Sequence, residues 1–339
     1  MTDRIELSAG VLSLLRHVRK DDPGILFGTR RVIYVTDYPD IELLESRGLA
    51  LTSPMDTTKK MALFERLPKG ALLLSPGVLG ADAQRRGFGW HSGRTLGRVI
   101  HLSTLDYPFV RRFYAAAAIF CRLLALRRQY DAILCYNSYG HTFLPSLLAS
   151  WLSICPLYID WEDDYRLQSG NLLTRSLWPL ARRFSSGGIA VNPRMLDPGM
   201  DNWIVVEAYC DVSYAAELQF QFHPGIKLLF SGTLDHIRGA HLVPELVAQL
   251  SALIGDFTLD ITGGGELADE MRALSASDPR VRFHGFVDQT RLLGLVDESD
   301  ACLVLQDPRS KFNNGSFPSK IHLYAEHRKP VFMIGRHDA

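Results

Sequence analysis

Apolar residues in this chain come in short runs separated by longer segments of helical period. The runs at 31–36 (RVIYVT), 71–75, 99–103, 133–136, 157–160, 188–191 and 204–207 have strand length and end in small or polar residues. The spacing predicts a helix over 109–128, with Phe113, Ala117, Phe120 and Leu124 as its buried stripe, and a second buried helix after His141. From Leu228 the alternation repeats, with strands at 228–231, 258–262, 281–283, 301–305 and 331–334. Residues 41–66 read as irregular helical connections, QRRGFGWHSGR at 84–94 as a mobile loop, and 1–22 as a short amphipathic helix. Strands alternating with helices predict an α/β protein of two Rossmann-like domains with parallel sheets, 1–222 and 223–339, joined near 208–225.

Composition narrows the class without naming a chemistry. A length of 339 residues suits two cores, and 47% hydrophobic with 22% charged residues argues against long disorder. Zero net charge gives no general attraction to nucleic acid. The five cysteines show no CxxC spacing and read as reduced core residues of a cytoplasmic protein, with no metal site. Arg16, Arg19 and Lys20 interrupt the apolar core that a signal peptide needs. The uncharged stretch from Thr142 to Ile159 is divided by Pro145 and Pro156, which predicts a buried helix and strand rather than a membrane span.

Three strand-to-helix turns carry the candidate chemistry. Leu228–Thr233 runs into a glycine turn followed by Arg238-Gly239, TLDITGGGE ends a strand in Gly263, Gly264 and Gly265, and FNNGSFPSK leads into a helix at Lys320. Glycines at the carboxyl ends of parallel strands let a ligand approach the backbone, and a helix start with a basic residue suits phosphate.

The ordered pieces SGTL, RG, ITGGGE, VRFHGFVD, DACLVLQ and SFPSKIHLYAEHRKPV, spread over 226–335, resemble the carboxyl-terminal half of GT-B glycosyltransferases, specifically retaining family 4 enzymes of polysaccharide and glycolipid assembly. The amino-terminal half is similar in outline only. The resemblance implies two facing Rossmann-like domains, a nucleoside-diphosphate sugar as substrate and no cofactor. It implies phosphate contacts from Arg238 and Lys320, donor contacts from Gly232, Thr233, Gly263, Gly264, Gly265, Gly315 and Ser316, and a nucleobase loop at His284, Gly285, Phe286 and Val287. Two departures stand out: the family's paired glutamates fall on Gly315 and Leu323, and Glu326 is the nearest carboxylate that could take over the ribose contact. The family also continues past residue 339 with closing helices, so exposure of the last strand and low solubility are expected.

In the first half, Asp160, Glu162, Asp163 and Asp164 cluster after a strand and suit sugar hydroxyls of a glycan or polyprenyl-linked acceptor, while His141 follows another strand end and could contact the donor sugar. Nine arginines and one acid lie between Arg85 and Tyr130, interleaved with aromatics, a composition fitting an anionic membrane on the inner face of the cell. The expected activity is retaining glycosyl transfer. The alternatives are a non-catalytic GT-B protein that binds a nucleotide or partner, favoured by Leu323, and a sugar-nucleotide epimerase of the same architecture.

Overall fold

The computed structural model describes residues 26–38, 43, 54–76, 89–107, 110–162, 172–206, 225–310, 313, 318 and 320–334. They fall into two compact units, the first holding the elements up to residue 206 and the second those from 225 onward. The expected amino-terminal helix and the joint between domains lie outside the described residues.

The first unit is built on strands β1 (Val32–Val35), β2 (Leu72–Ser75), β4 (Arg94–Leu96), β5 (Val99–His101), β7 (Ala132–Tyr136), β8 (Leu157–Trp161), β9 (Gly187–Ala190) and β10 (Trp203–Val205). Their order is β10-β9-β8-β7-β1-β2-β5-β4, parallel throughout except for the β4–β5 hairpin. The helices are α1 (Pro54–Arg66), α2 (Arg111–Ala125), α3 (Gly140–Ser153) and α4 (Leu172–Phe184). Because helices cover both faces, the central strands are apolar without alternation. Ile33, Val35, Ile133, Cys135, Ile159 and Trp161 form one core with Ile119, Phe143 and Trp178. Val32, Tyr34, Ala132, Leu134 and Tyr158 form the other with Leu63 and Phe64. Trp161 stacks on Trp178 at 3.4 Å between ring centroids, and Trp203 closes on both rings.

Two expectations are corrected here. The described part of the arginine- and glycine-rich segment is ordered: β3 (Gly89–His91) pairs antiparallel with β6 (Thr104–Asp106), and β4 forms its hairpin with β5. Gly93 marks a close backbone approach, since a Cβ there would strike the backbone of His101–Ser103. In α2 the buried residues are Ala115, Ile119 and Leu123, and Phe113 is 79% exposed. The helix is apolar around most of its circumference, so its periodicity admits two stripes, and packing chooses the one offset by two residues.

The second unit is a five-stranded parallel sheet of β11 (Ile226–Ser231), β12 (Phe257–Thr262), β13 (Val281–Phe283), β14 (Ala301–Leu305) and β15 (Val331–Ile334), in the order β13-β12-β11-β14-β15. Its helices are α5 (Val243–Leu253), α6 (Ala268–Ser277), α7 (Gln289–Glu298) and α8 (Lys320–Glu326). Ile226, Leu228, Phe230, Leu259, Ile261, Leu303 and Leu305 fill a core against Val243, Val247 and Met271.

Each sheet reverses its winding once. In the first unit the chain leaves β1 toward β2 and later returns to β1's other side with β7. In the second it leaves β11 toward β12 and returns on the other side with β14. The carboxyl ends of the strands at these reversals diverge into crevices where open α/β sheets bind ligands. Among the described residues no helix is long and apolar enough to cross a membrane, and 142–159 divides between α3 and β8.

Candidate functional site

At the reversal in the second unit, the turns after β11 and β12 are laced together. Gly232 donates its N–H to Thr262 O at 2.9 Å, and Leu234 donates to Gly264 O at 3.0 Å. Gly263 (φ 138°) and Gly265 (φ 154°) lie so close to the β11 turn that Cβ atoms would fall on the carbonyl oxygens of Gly232 and Leu234. The Lys320 ammonium donates to the Ser231 carbonyl and occupies the space where Gly232 would carry a side chain. Arg238 stands on the adjoining turn, where Asp235 Oδ1 accepts the Arg238 N–H at 2.6 Å and Gly239 (φ 74°) presses on the Leu305–Gln306 backbone.

Gly232, Arg238 and Lys320 are therefore brought together, although 89 residues separate Ser231 from Lys320. Burial, and then the Arg238 charge, pull the Lys320 ammonium down to about 7, with Asp235 opposing them. Two mutually repelling cations beside bare backbone form a site that a dianionic phosphate group would relieve. Gln306, at the end of β14, is buried with neither amide atom hydrogen-bonded among the described residues.

The HGF loop joins the same layer. The Gly285 carbonyl accepts from Gly263 N at 2.8 Å and Thr262 Oγ1 at 2.9 Å, and His284 Nε2 lies 2.6 Å from Asp260 Oδ1. Phe286 projects into solvent, Val287 is half-buried, and Thr233 is exposed on its turn. Gly315 and Ser316 lie outside the described residues. Glu326 is not brought to this site. It ends α8, about 9 Å along the axis from Lys320, next to a turn whose Lys329 donates to the carbonyls of Asp297 and Ser299 before β14 begins. Leu323 is buried between them in the sequence of the helix, a packing residue.

In the first unit, His141 sits at the corresponding reversal. Its Nε2 donates to the Asp37 carboxylate, 3.0 Å from Oδ2, tying the start of α3 to the end of β1. Lys60 donates to the Asp37 carbonyl at 2.9 Å, and the Tyr139 ring stacks on His141. Burial raises the Asp37 carboxyl, but His141, Lys60 and Arg112 outweigh it and hold the group below the usual carboxylate range. Asp37 escaped the sequence reading because its partner lies 104 residues away; only its place after the first strand could have signalled it.

The acidic cluster divides. Asp160 is buried within β8 and accepts the Tyr34 hydroxyl at 2.5 Å, which together with burial raises the Tyr34 pKa well above its ordinary value. A carboxylate held there supports the sheet rather than meeting a ligand. Glu162 is half-buried, its N–H donated to Asn137 Oδ1 at 2.9 Å, and Asp163 and Asp164 lie outside the described residues. Among the described residues no group of three His, Cys, Asp or Glu side chains could hold a metal ion.

No family model and no curated protein matches the chain. Solved structures do. HepE of Anabaena, determined with UDP-glucose, aligns with a TM-score of 0.52 at 15% identity, over 90% of this chain and 80% of that one. The lipopolysaccharide outer core galactosyltransferase WaaB aligns with a TM-score of 0.52 at 12% identity, over 89% and 80%. A Listeria monocytogenes protein assigned as a UDP-N-acetylglucosamine 2-epimerase aligns with a TM-score of 0.50 at 11% identity, over 91% and 79%. At such identities the likeness establishes architecture: the chain has the GT-B fold.

Proposed function

We propose that the protein transfers a glycosyl group from a nucleoside-diphosphate sugar to a hydroxyl of a glycan or lipid-linked acceptor, with retention at the anomeric carbon. The observation that carries this reading is the convergence of Arg238 and Lys320 on the Ser231–Gly232 backbone at the reversal of the second sheet. Charge develops on the departing diphosphate as the glycosidic bond breaks, and two preoriented cations stabilise that state more than the ground state. They supply the neutralisation that a divalent ion provides elsewhere. The exposed Phe286 ring gives the nucleobase a stacking partner, and Gly264, with open space where a Cβ would stand, allows the ligand to lie against backbone. Asp37 fixes the His141 ring for contact with a sugar hydroxyl.

UDP is the first probe, because HepE was solved with UDP-glucose. It should raise the melting temperature, and Lys320→Ala and Arg238→Ala should each weaken binding about tenfold or more, as expected when a charge-assisted bond is lost. Unchanged affinity in both variants rejects the site. The epimerase reading draws on the Listeria monocytogenes neighbour. Incubating the protein with UDP-sugars alone and following the sugar by NMR separates the readings: epimerisation at C2 without acceptor supports the epimerase, whereas acceptor-dependent UDP release with a retained anomeric configuration supports the transferase. Binding with neither outcome leaves a nucleotide-binding protein.

A further inference from the structure

We propose that the outward face of α2 and α3 docks on an anionic lipid surface. The proposal is independent of glycosyl transfer and concerns a different part of the first unit from the arginine-rich strands β3 and β4.

The pattern of α3 is inverted. Thr142, Ser146 and Ser150 are buried, and their hydroxyls are absorbed by the helix itself, with Ser146 Oγ donating to Thr142 O at 2.6 Å and Ser150 Oγ to Leu147 O at 2.8 Å. Leu144, Leu148, Trp151 and Leu152 occupy the exposed side at spacings of four, seven and eight residues. A water-facing helix places these classes the other way round. Beside it, α2 turns Phe113, Ala117 and Cys121 outward, and Phe184 of α4 meets Trp151 edge-on at 5.4 Å. The result is an apolar layer contributed by three helices, where scattered single residues would need no explanation.

Ile154 sharpens the case. It caps α3 in the left-handed region (φ 51°, ψ 47°), where a β-branched side chain is strained and glycine or asparagine is favoured, and it is 93% exposed. Neither backbone geometry nor folding rewards isoleucine there. Burial in an external apolar phase does.

Charge selects the occupant. Three arginines lie on α2 and three on α4, no charged residue lies on α3, and none of the three helices contains an acid. Arg127 and Arg128 follow α2 and are exposed, and a hollow of about 470 Å³ lined by Trp178, Pro179, Arg182 and Arg183 opens on α4. A tryptophan and leucines flanked by arginines match the headgroup boundary of an anionic bilayer. A second copy fits less well, because a two-fold contact through this face sets arginine against arginine.

The test is sedimentation of the full chain with vesicles of phosphatidylcholine alone or mixed with phosphatidylglycerol. Binding only to the anionic vesicles, weakened by salt, is expected. Arg127→Gln with Arg183→Gln should lower it roughly 25-fold at low ionic strength, about fivefold for each arginine. Leu148→Gln with Leu152→Gln should lower it about tenfold, these exposed sites leaving the circular dichroism unchanged. Ile154→Gly separates docking from structure, since it should weaken vesicle binding while raising the melting temperature. The proposal is overturned by equal binding to both vesicle types, by variants that bind like the parent, or by self-association that the leucine changes abolish without any vesicle binding.

Discussion

Lys320 offers a quantitative test of the phosphate site through its proton. Its pKa stands at about 7 in the ligand-free protein against an ordinary 10.5, so at pH 8 only about one-tenth of molecules carry the charge. An unfolded chain keeps that proton, and the contribution of this group to stability therefore rises as pH climbs from about 7 toward 10.5. A bound diphosphate reverses the preference by stabilising the ammonium. Binding must then take up about half a proton at pH 7 and nearly a full one at pH 8. Affinity should fall roughly fiftyfold from pH 7 to pH 9 if the charge is required, and at least tenfold after allowance for partial exposure of the side chain. The terminal phosphate of UDP ionises near pH 6, below this window, and does not confuse the reading. Calorimetric titration with UDP in buffers of different ionisation heat measures the uptake directly. Lys320→Arg keeps its charge throughout and should bind with a nearly flat profile. Zero proton uptake at pH 8, or an identical pH profile in Lys320→Arg, would refute the argument.

Three further outcomes follow from packing. Gly263→Ala should cost more than about 2 kcal/mol, because the residue combines φ 138° with direct contact against the Gly232 carbonyl; an unchanged urea midpoint would contradict the laced turns. Gln306→Leu should stabilise the ligand-free protein by about 1 kcal/mol, since it removes a buried amide without partners among the described residues, and a lower melting temperature would show that the amide is satisfied. Trp178→Ala should cost about 3 to 5 kcal/mol by opening the stack on Trp161, with a loss below 1 kcal/mol marking the cluster as loosely packed.

The parts of this structure legible in the sequence are those with local causes. Runs such as Val32–Val35 and Ala132–Tyr136 are buried on both faces, and such strands announce themselves as unbroken apolar segments. The glycine turns were visible for the same reason, since the backbone requirement sits in the residues that meet it. The β3–β6 and β4–β5 pairs were not, because three-residue strands containing glycine and arginine hold together by pairing rather than by pattern. The α2 stripe was ambiguous because both candidates were apolar, and only packing could choose. The Asp37–His141 pair depends on β1 and β7 lying side by side, which is a property of topology. Glu326 was placed near the ribose by spacing along a helix, but α8 carries it away from Lys320.

The lacing of the three glycine turns has a consequence for how ligand ordering is distributed. Gly232, Leu234, Gly263 and Leu267 all donate their amides to neighbouring turns, so the backbone rim is already ordered in the free protein. Little main-chain entropy is left to lose when a ligand arrives. The cost falls on one side chain, because Lys320 must exchange the Ser231 carbonyl for the incoming anion. Recognition at such a rim is a substitution of one hydrogen-bond acceptor for another, and ligands differ in affinity by how much better an acceptor they present than a backbone carbonyl.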